Sequence, residues 1–168
     1  SFGKTSIKHI LGHVLKTHAN TLITPGSVNT PMGITRIVRE ELTADHKYFI
    51  VEMGAYGIGS IKHLCDLTPP NYGIISAIGH AHYERFKSLE AVSQAKYELG
   101  EAVAKKAGKT IIHERTLRFP HPRKVKTEHP ENFIVVGEPP HVDPHKRKDV
   151  SYLNEDDVHI VKIDQRDA

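Results

Sequence analysis

A short motif at the start of the chain has the residue types of a phosphate-binding loop. Gly3-Lys4-Thr5-Ser6 stands directly before a segment, residues 7–15, in which apolar residues recur at the spacing of one helix face. Glycine lets the backbone approach phosphate oxygens, the helix N-terminus presents free N–H groups, and lysine adds a positive charge. The Thr5 hydroxyl is then a candidate ligand of a magnesium ion shared with nucleotide phosphates. A helix start without any ligand is the competing interpretation, because the motif is short.

Two further polar residues follow apolar runs that are typical of buried strands. Glu52 lies near the end of the run 48–53, and His82 follows the run 73–78. Ligands bind where the strands of an open parallel sheet end, so Thr5, Glu52 and His82 could converge around metal ions at one edge. A solvent-facing strand end for Glu52 and an ordinary loop histidine at position 82 remain open alternatives.

Lys96 places a cation on the apolar face of a predicted helix, four residues after Val92 and three before Leu99. Burying an unpaired ammonium group is costly. The aliphatic stem could run along the edge of the face and leave the ammonium in solvent. Alternatively, Lys96 is a functional lysine with a lowered pKa, which pairs with phosphate or is modified to carry negative charge.

These candidate residues need a scaffold that brings strand ends together. Helical spacing and short apolar runs alternate along the chain, which predicts an α/β fold: a mostly parallel sheet flanked by helices. Residues 114–148 are rich in Pro, His, Lys and Arg and are expected to form loops and one strand. Residues 150–163 are expected to form a C-terminal β-hairpin.

Composition limits the class of protein but does not select a function. The 168 residues suit one domain, and the net charge of +3 without a dense Lys/Arg run gives no reason to expect a nucleic-acid partner. The single cysteine, Cys65, has the spacing of a core residue and favours a reducing compartment. No apolar run has the length of a membrane span and no signal-peptide pattern is present, so we expect a cytoplasmic protein without a membrane partner.

Four segments taken together resemble the Mur ligase family, ATP-dependent enzymes that join amino acids or peptides to a peptidoglycan precursor, and within it the MurF type. GKTSIKHIL resembles the family's phosphate loop and helix, TPGSVNTPMG its loop after the second strand, and VEMGAYGIGSI its acidic strand end. IGHAHYERFKSLEAVSQAKYEL is the most specific segment, because it is similar to the family's pattern in both order and spacing.

The resemblance implies a P-loop-type fold and a role for each matching residue of the nucleotide site. Lys4 and the backbone of Gly3 would contact the ATP phosphates, with Ser6 in the same loop. Thr5 and Glu52 would bind one magnesium ion.

The resemblance also implies a second magnesium ion, held by His82. Asn29 matches an asparagine near the γ-phosphate and the acceptor substrate. Lys96 matches a lysine that is carbamoylated in several family members and would then act as an anionic ligand beside the metal.

The function implied is that of an ATP-dependent carboxylate–amine ligase that proceeds through an acyl phosphate. A MurF-type enzyme would add D-alanyl-D-alanine to a UDP-muramoyl tripeptide. A Mur-family ligase with another acceptor or amine, and a nucleotide-binding module that has lost catalysis, are the alternatives. A phosphate-loop GTPase is disfavoured because no Asn-Lys-x-Asp segment is present.

The resemblance gives an expectation about domain organisation as well. Residues 1–168 would be the central ATP-binding domain, with the phosphate loop truncated at residue 1. The N-terminal UDP-substrate domain and the C-terminal domain that flank it in the family would be absent, so the isolated fragment is expected to be inactive.

Overall fold

Helices and strands alternate along the chain in a computed structural model that describes residues 3–79 and 83–137, except for the side chains of residues 83 and 84. Short 3₁₀ turns at Glu114–Arg118 and Pro130–Asn132 flank the last helix. In chain order the elements are α1 (Lys4–Lys16), β1 (Thr21–Ile23), α2 (Pro31–Glu40), β2 (Tyr48–Ile50), α3 (Ser60–Leu67), β3 (Tyr72–Ile75), α4 (Tyr83–Phe86), α5 (Leu89–Ala104), β4 (Lys109–His113), α6 (Pro120–Glu128) and β5 (Phe133–Val136). The predicted α/β fold with parallel strands flanked by helices is confirmed.

All strand pairs within the described ranges are parallel. β1 pairs with β2, with Leu22 opposite Phe49, while β4 lies between β3 and β5. Because parallel strands end at the same edge, residues that follow β1 and β2 lie close together, and so do residues that follow β3, β4 and β5. This topology sets where the polar candidates can meet.

Helix α1 lies against β1 and β2 on a face that the apolar pattern does not predict. Gly12 is buried in this contact, and a Cβ atom at its position would lie 2.0 Å from Cδ1 of Ile23. Ile10 and Val14, in contrast, are 66% and 44% exposed. The helix therefore approaches the strands through a glycine, and part of its apolar stripe faces outward.

Helix α5 holds much of the core of the described region. Tyr97 is fully buried, its ring stacks on Phe133 at a centroid distance of 6.0 Å, and its hydroxyl lies 2.6 Å from Oγ1 of Thr116. Ser88 caps the helix by accepting a hydrogen bond from the N–H of Ala91, as its N-cap position predicts. None of the helices in residues 3–79 and 83–137 combines the length and the apolar character that a membrane crossing requires.

The segment after β4 contains more regular structure than the sequence predicts. Its expected strand is β5, but α6 forms where only loops were expected. Pro120 suits the first turn of a helix, where no N–H is needed, and only Pro122 and Val125 are buried. With so small an apolar face, α6 has little periodicity to detect. The predicted hairpin at 150–163 lies outside the described residues.

Candidate active site

The phosphate-loop residues form the N-terminal end of α1. Gly3 precedes the helix with φ of +87°, a left-handed conformation in which a side chain would be strained, and no side chain caps the helix. The first turn therefore directs its N–H groups and the positive end of the helix dipole away from the helix, as a phosphate site requires. Lys4 and Thr5 are partly buried, and Ser6 is exposed.

Glu52 lies two residues beyond the end of β2 and is only 6% exposed. The hydroxyl of Thr5 donates a hydrogen bond to its Oε2 at 2.9 Å, although the two residues are 47 positions apart. The backbone N–H of Glu52 donates to Oγ1 of Thr24, which is fully buried, at 3.2 Å. Thr5 and Glu52 thus converge as the sequence predicts, and the alternative of a solvent-facing strand end is excluded.

Lys8 is a member of this site that the sequence analysis missed. Its side chain is 3% exposed, and its ammonium lies 3.3 Å from Oε2 of Glu52 and donates a hydrogen bond to the carbonyl of Gly26. A signal was available, because Thr5, Lys8 and Gly12 lie three and four residues apart on one helix face. The sequence analysis assigned Lys8 no role, because it lies outside the phosphate-loop motif.

The charges around Glu52 favour its ionised form. Burial acts to raise the pKa of Glu52, but hydrogen bonds from Thr5 and Lys8 and the charges of Lys8 and Lys4 outweigh burial and hold the pKa below its usual range. Lys4 is the more distant cation, with its Nζ 3.8 Å from Oε1. The carboxylate is therefore an anion near neutral pH and lies at the N-terminal end of α1.

Asn29 lies beside the segment that follows Glu52. Its carbonyl accepts a hydrogen bond from the N–H of Gly54 at 3.0 Å, and its Oδ1 accepts one from the hydroxyl of Tyr56 at 2.8 Å. Arg85 lies over the Tyr56 ring, 5.8 Å from its centroid. The Tyr56 hydroxyl thus fixes the Asn29 side chain through Oδ1, and the amide NH₂ is its donor group.

Lys96 is directed inward from α5 rather than toward solvent. Its ammonium donates to the carbonyl of Ala77, just beyond β3, at 2.5 Å. Burial, together with the charge of Lys4, lowers the pKa of Lys96 to about 8. The lowered pKa agrees with the second interpretation of Lys96, while its functional role stays a prediction.

The site residues thus come from both sets of strands. Lys4, Thr5 and Glu52 meet beside β2. Asn29 contacts Gly54 and Tyr56, which follow Glu52 in the chain, and the charge of Lys4 contributes to the lowered pKa of Lys96. His82 lies outside the described residues. Across residues 3–79 and 83–137, no three His, Cys, Asp or Glu side chains form a group that could hold a metal ion on its own.

Comparison with known proteins gives one consistent result. The sequence profile of the Mur ligase middle domain matches residues 1–167. UDP-N-acetylmuramoyl-tripeptide–D-alanyl-D-alanine ligase of Buchnera aphidicola subsp. Baizongia pistaciae is 38% identical over 99 residues, covering 59% of this chain and 21% of the relative. The ligase of the same name from Escherichia coli K12 is 35% identical over 99 residues, covering 59% of this chain and 22% of the relative. The matched region thus spans about a fifth of these curated relatives.

Solved structures agree with the sequence relatives. MurF from Acinetobacter baumannii superimposes with a TM-score of 0.69 at 28% identity, covering 82% of this chain and 29% of that one. MurF ligase from Thermotoga maritima in complex with ADP gives a TM-score of 0.68 at 28% identity, covering 82% and 30%. The profile match over nearly the whole sequence and these structural neighbours lead to one conclusion: the chain belongs to the Mur ligase middle domain family.

Proposed function

We propose that this chain is the ATP-binding domain of an ATP-dependent amide ligase of the MurF type. In the reaction, a substrate carboxylate attacks the γ-phosphorus of ATP, which gives an acyl phosphate and ADP. The amine of the second substrate then attacks the acyl carbon, loses a proton and displaces inorganic phosphate. The names of the relatives indicate a UDP-N-acetylmuramoyl tripeptide as the carboxylate and D-alanyl-D-alanine as the amine.

The observation that carries the proposal is the contact between Thr5 and Glu52. It joins the first turn of an uncapped helix to a buried carboxylate at a strand end, through a hydrogen bond of 2.9 Å. A phosphate site and an anionic oxygen ligand therefore lie side by side. This is the arrangement that a nucleotide bound with a divalent cation requires.

The donor atoms fit magnesium. A hydroxyl and a carboxylate are hard oxygen ligands, and Mg²⁺ at nucleotide sites is commonly held by one or two protein oxygens, phosphate oxygens and water. The described ranges contain no group of three His, Cys, Asp or Glu side chains that could hold a metal ion. A magnesium site with one or two protein ligands does not need such a group. A bound Mg²⁺ would supply charge stabilisation on the phosphates. A second ion, at His82, remains part of the proposal without a described residue to support it.

Lys4 and Asn29 would position the nucleotide. The ammonium of Lys4 lies at the N-terminus of α1, where it can pair with phosphate oxygens and offset the charge that develops during transfer. The amide NH₂ of Asn29, oriented by Tyr56, can donate to a phosphate or to the substrate carboxylate.

Lys96 has the chemistry that carbamoylation needs. Carbamate formation joins a neutral amine to the carbon of CO₂ and releases a proton, so it depends on the unprotonated fraction. A pKa of about 8 leaves about one amine in ten neutral at pH 7, far more than for an ordinary lysine. The product would replace a cation near Lys4 with an anion, and it would supply an oxygen ligand beside the metal.

Domain organisation and location complete the proposal. Residues 1–168 would form the central domain of a longer ligase, in which flanking domains bind the UDP substrate and deliver the amine, and the chain alone should release little phosphate.

Cys65 is buried, and burial is the chief cause that raises the pKa of its thiol to about 12. It is therefore an unreactive core thiol, which suits the cytoplasmic location proposed.

The test is phosphate release by the full-length protein with ATP, Mg²⁺, UDP-N-acetylmuramoyl tripeptide and D-alanyl-D-alanine. We expect release only when all four components are present, and its loss in Lys4→Ala. Release with a different amine would reassign the substrate within the family. A protein that binds ATP but releases no phosphate with any carboxylate–amine pair tested would count against a ligase.

A further inference from the structure

Lys8 connects three parts of the fold at one point. It extends from the second turn of α1, its ammonium bonds to the carbonyl of Gly26 in the loop after β1, and it lies 3.3 Å from Oε2 of Glu52 after β2. At 3% exposure its charge is withdrawn from solvent. The ammonium of Lys8 is therefore engaged by groups of the protein and is not presented to solvent.

The two oxygens of Glu52 have different surroundings. Oε2 receives both the hydroxyl hydrogen of Thr5 and the ammonium of Lys8, whereas Oε1 faces Lys4 at 3.8 Å. Oε2 is thus the oxygen held by two groups of α1, and Oε1 is the less engaged oxygen, nearer to Lys4. The Thr5 hydroxyl donates to Oε2, which leaves its own lone pairs available to a cation.

We propose that Lys8 is a positioning residue, which holds Oε2 of Glu52 so that Oε1 is the carboxylate oxygen presented to the metal–nucleotide complex. The same ammonium fixes the Gly26 loop against α1, so the loop and the carboxylate share one anchor. This inference rests on the proposed nucleotide site, but it concerns a residue that makes no contact with the nucleotide.

Lys8 has a second effect, through Lys4. Within the described part of the chain, Lys4 and Lys8 are the cations within 4.0 Å of Glu52. If Lys8 is neutralised, Lys4 becomes the nearest counter-charge of a buried carboxylate. Lys4 is then drawn toward Oε1 and away from the phosphates, so metal and nucleotide binding weaken together.

The experiment measures binding of Mn²⁺ with ADP to the full-length protein by electron paramagnetic resonance, with Mn²⁺ as the probe for Mg²⁺. The variants are Lys8→Met, which removes the charge at similar length, and Lys8→Arg, which keeps it. Lys16→Met is the matched control, because Lys16 is exposed on the same helix. We expect the Kd for Mn²⁺ in the presence of ADP to rise about tenfold in Lys8→Met, to return toward wild type in Lys8→Arg, and to stay unchanged in the control.

Unchanged Mn²⁺ affinity in a folded Lys8→Met protein would overturn the proposal. If that variant does not fold, Lys8→Gln decides, because its amide is neutral and one atom too short to reach both Gly26 and Glu52. Wild-type affinity in Lys8→Gln, or failure of both neutral variants to fold, would make Lys8 a purely structural residue. Failure of the wild-type protein to bind Mn²⁺ with ADP would instead remove the nucleotide site itself, which separates the two failures.

Discussion

Two lysines that point into the protein differ in what surrounds the charge of their ammonium groups. The ammonium of Lys8 has a carboxylate oxygen of Glu52 at 3.3 Å, while that of Lys96, within the described residues, bonds to the carbonyl of Ala77. A carboxylate supplies a full opposite charge, and a carbonyl only a partial one. The cation of Lys8 is therefore matched by the fold, whereas burial lowers the pKa of Lys96 to about 8. A matched lysine stabilises a site, and an unmatched one is suited to change its charge.

The largest effect is expected from breaking the matched pair. Glu52→Gln leaves the Lys8 ammonium buried without its anion, so the free energy of unfolding should fall by about 3 kcal/mol. Urea denaturation in the absence of nucleotide measures this change. The control is Glu40→Gln, which breaks the exposed pair of Arg36 and Glu40 and should leave the free energy of unfolding nearly unchanged. Similar small losses in both variants would show that the buried pair is no stronger than the surface one.

Removing Lys96 should raise the free energy of unfolding, whereas Glu52→Gln should lower it. The pKa of Lys96 falls from 10.5 to about 8 in the native state. Keeping this side chain protonated at pH 7 therefore costs the native state at most about 3 kcal/mol. Lys96→Met should therefore raise the free energy of unfolding, by about 2 kcal/mol after the lost hydrogen bond is allowed for. Ligase activity of the full-length protein should fall at least about tenfold in the same variant. A loss of stability in Lys96→Met, with no change in the control Lys62→Met at an exposed position of α3, would contradict this prediction.

The lowered pKa of Lys96 also predicts that the free energy of unfolding depends on pH. Between pH 8 and 10.5 the unfolded chain binds more protons at Lys96 than the native chain does, so the free energy of unfolding should rise with pH across this window. Below pH 8 both states are protonated and the penalty is constant. The contribution of Lys96 is the wild-type curve minus the Lys96→Met curve, measured in CO₂-free buffer. A flat difference from pH 8 to 10.5 would show that the native lysine titrates normally.

The smallest effect is expected at the neutral hydrogen bond that orients Asn29. Tyr56→Phe removes the hydroxyl donor to Oδ1 and should cost about 1 kcal/mol, seen as a fall of about fivefold in kcat/KM for ATP. The control is Tyr72→Phe, because Tyr72 is 45% exposed. Equal kcat/KM values for the two variants would show that the Tyr56 hydroxyl is not required to orient Asn29.

The sequence predicted most of the fold and part of the site, for identifiable reasons. The alternation of strands and helices depends on local periodicity, and the convergence of Thr5 and Glu52 follows from parallel topology. Lys8 was missed because its helix spacing places it on the face of Thr5 and Gly12 but does not show that a carboxylate 44 positions away pairs with it. Helix α6 was missed because two buried residues give no periodic signal. Ion pairs between distant residues and helices with small apolar faces cannot be predicted from local sequence patterns.

The glycine inside α1 has a consequence for stabilising this protein by design. Replacing a helix-interior glycine with alanine ordinarily stabilises by about 1 kcal/mol, so Gly12 would be a first choice for engineering. Here a methyl group would occupy space already filled by the side chain of Ile23, so either Ile23 or the helix would have to shift. A shift of the helix would carry Thr5 and Lys8 away from Glu52, which the proposed nucleotide site requires them to contact. The close packing of α1 and the proposed site therefore both require glycine at position 12, and the usual helix-stabilising substitution is not expected to help there.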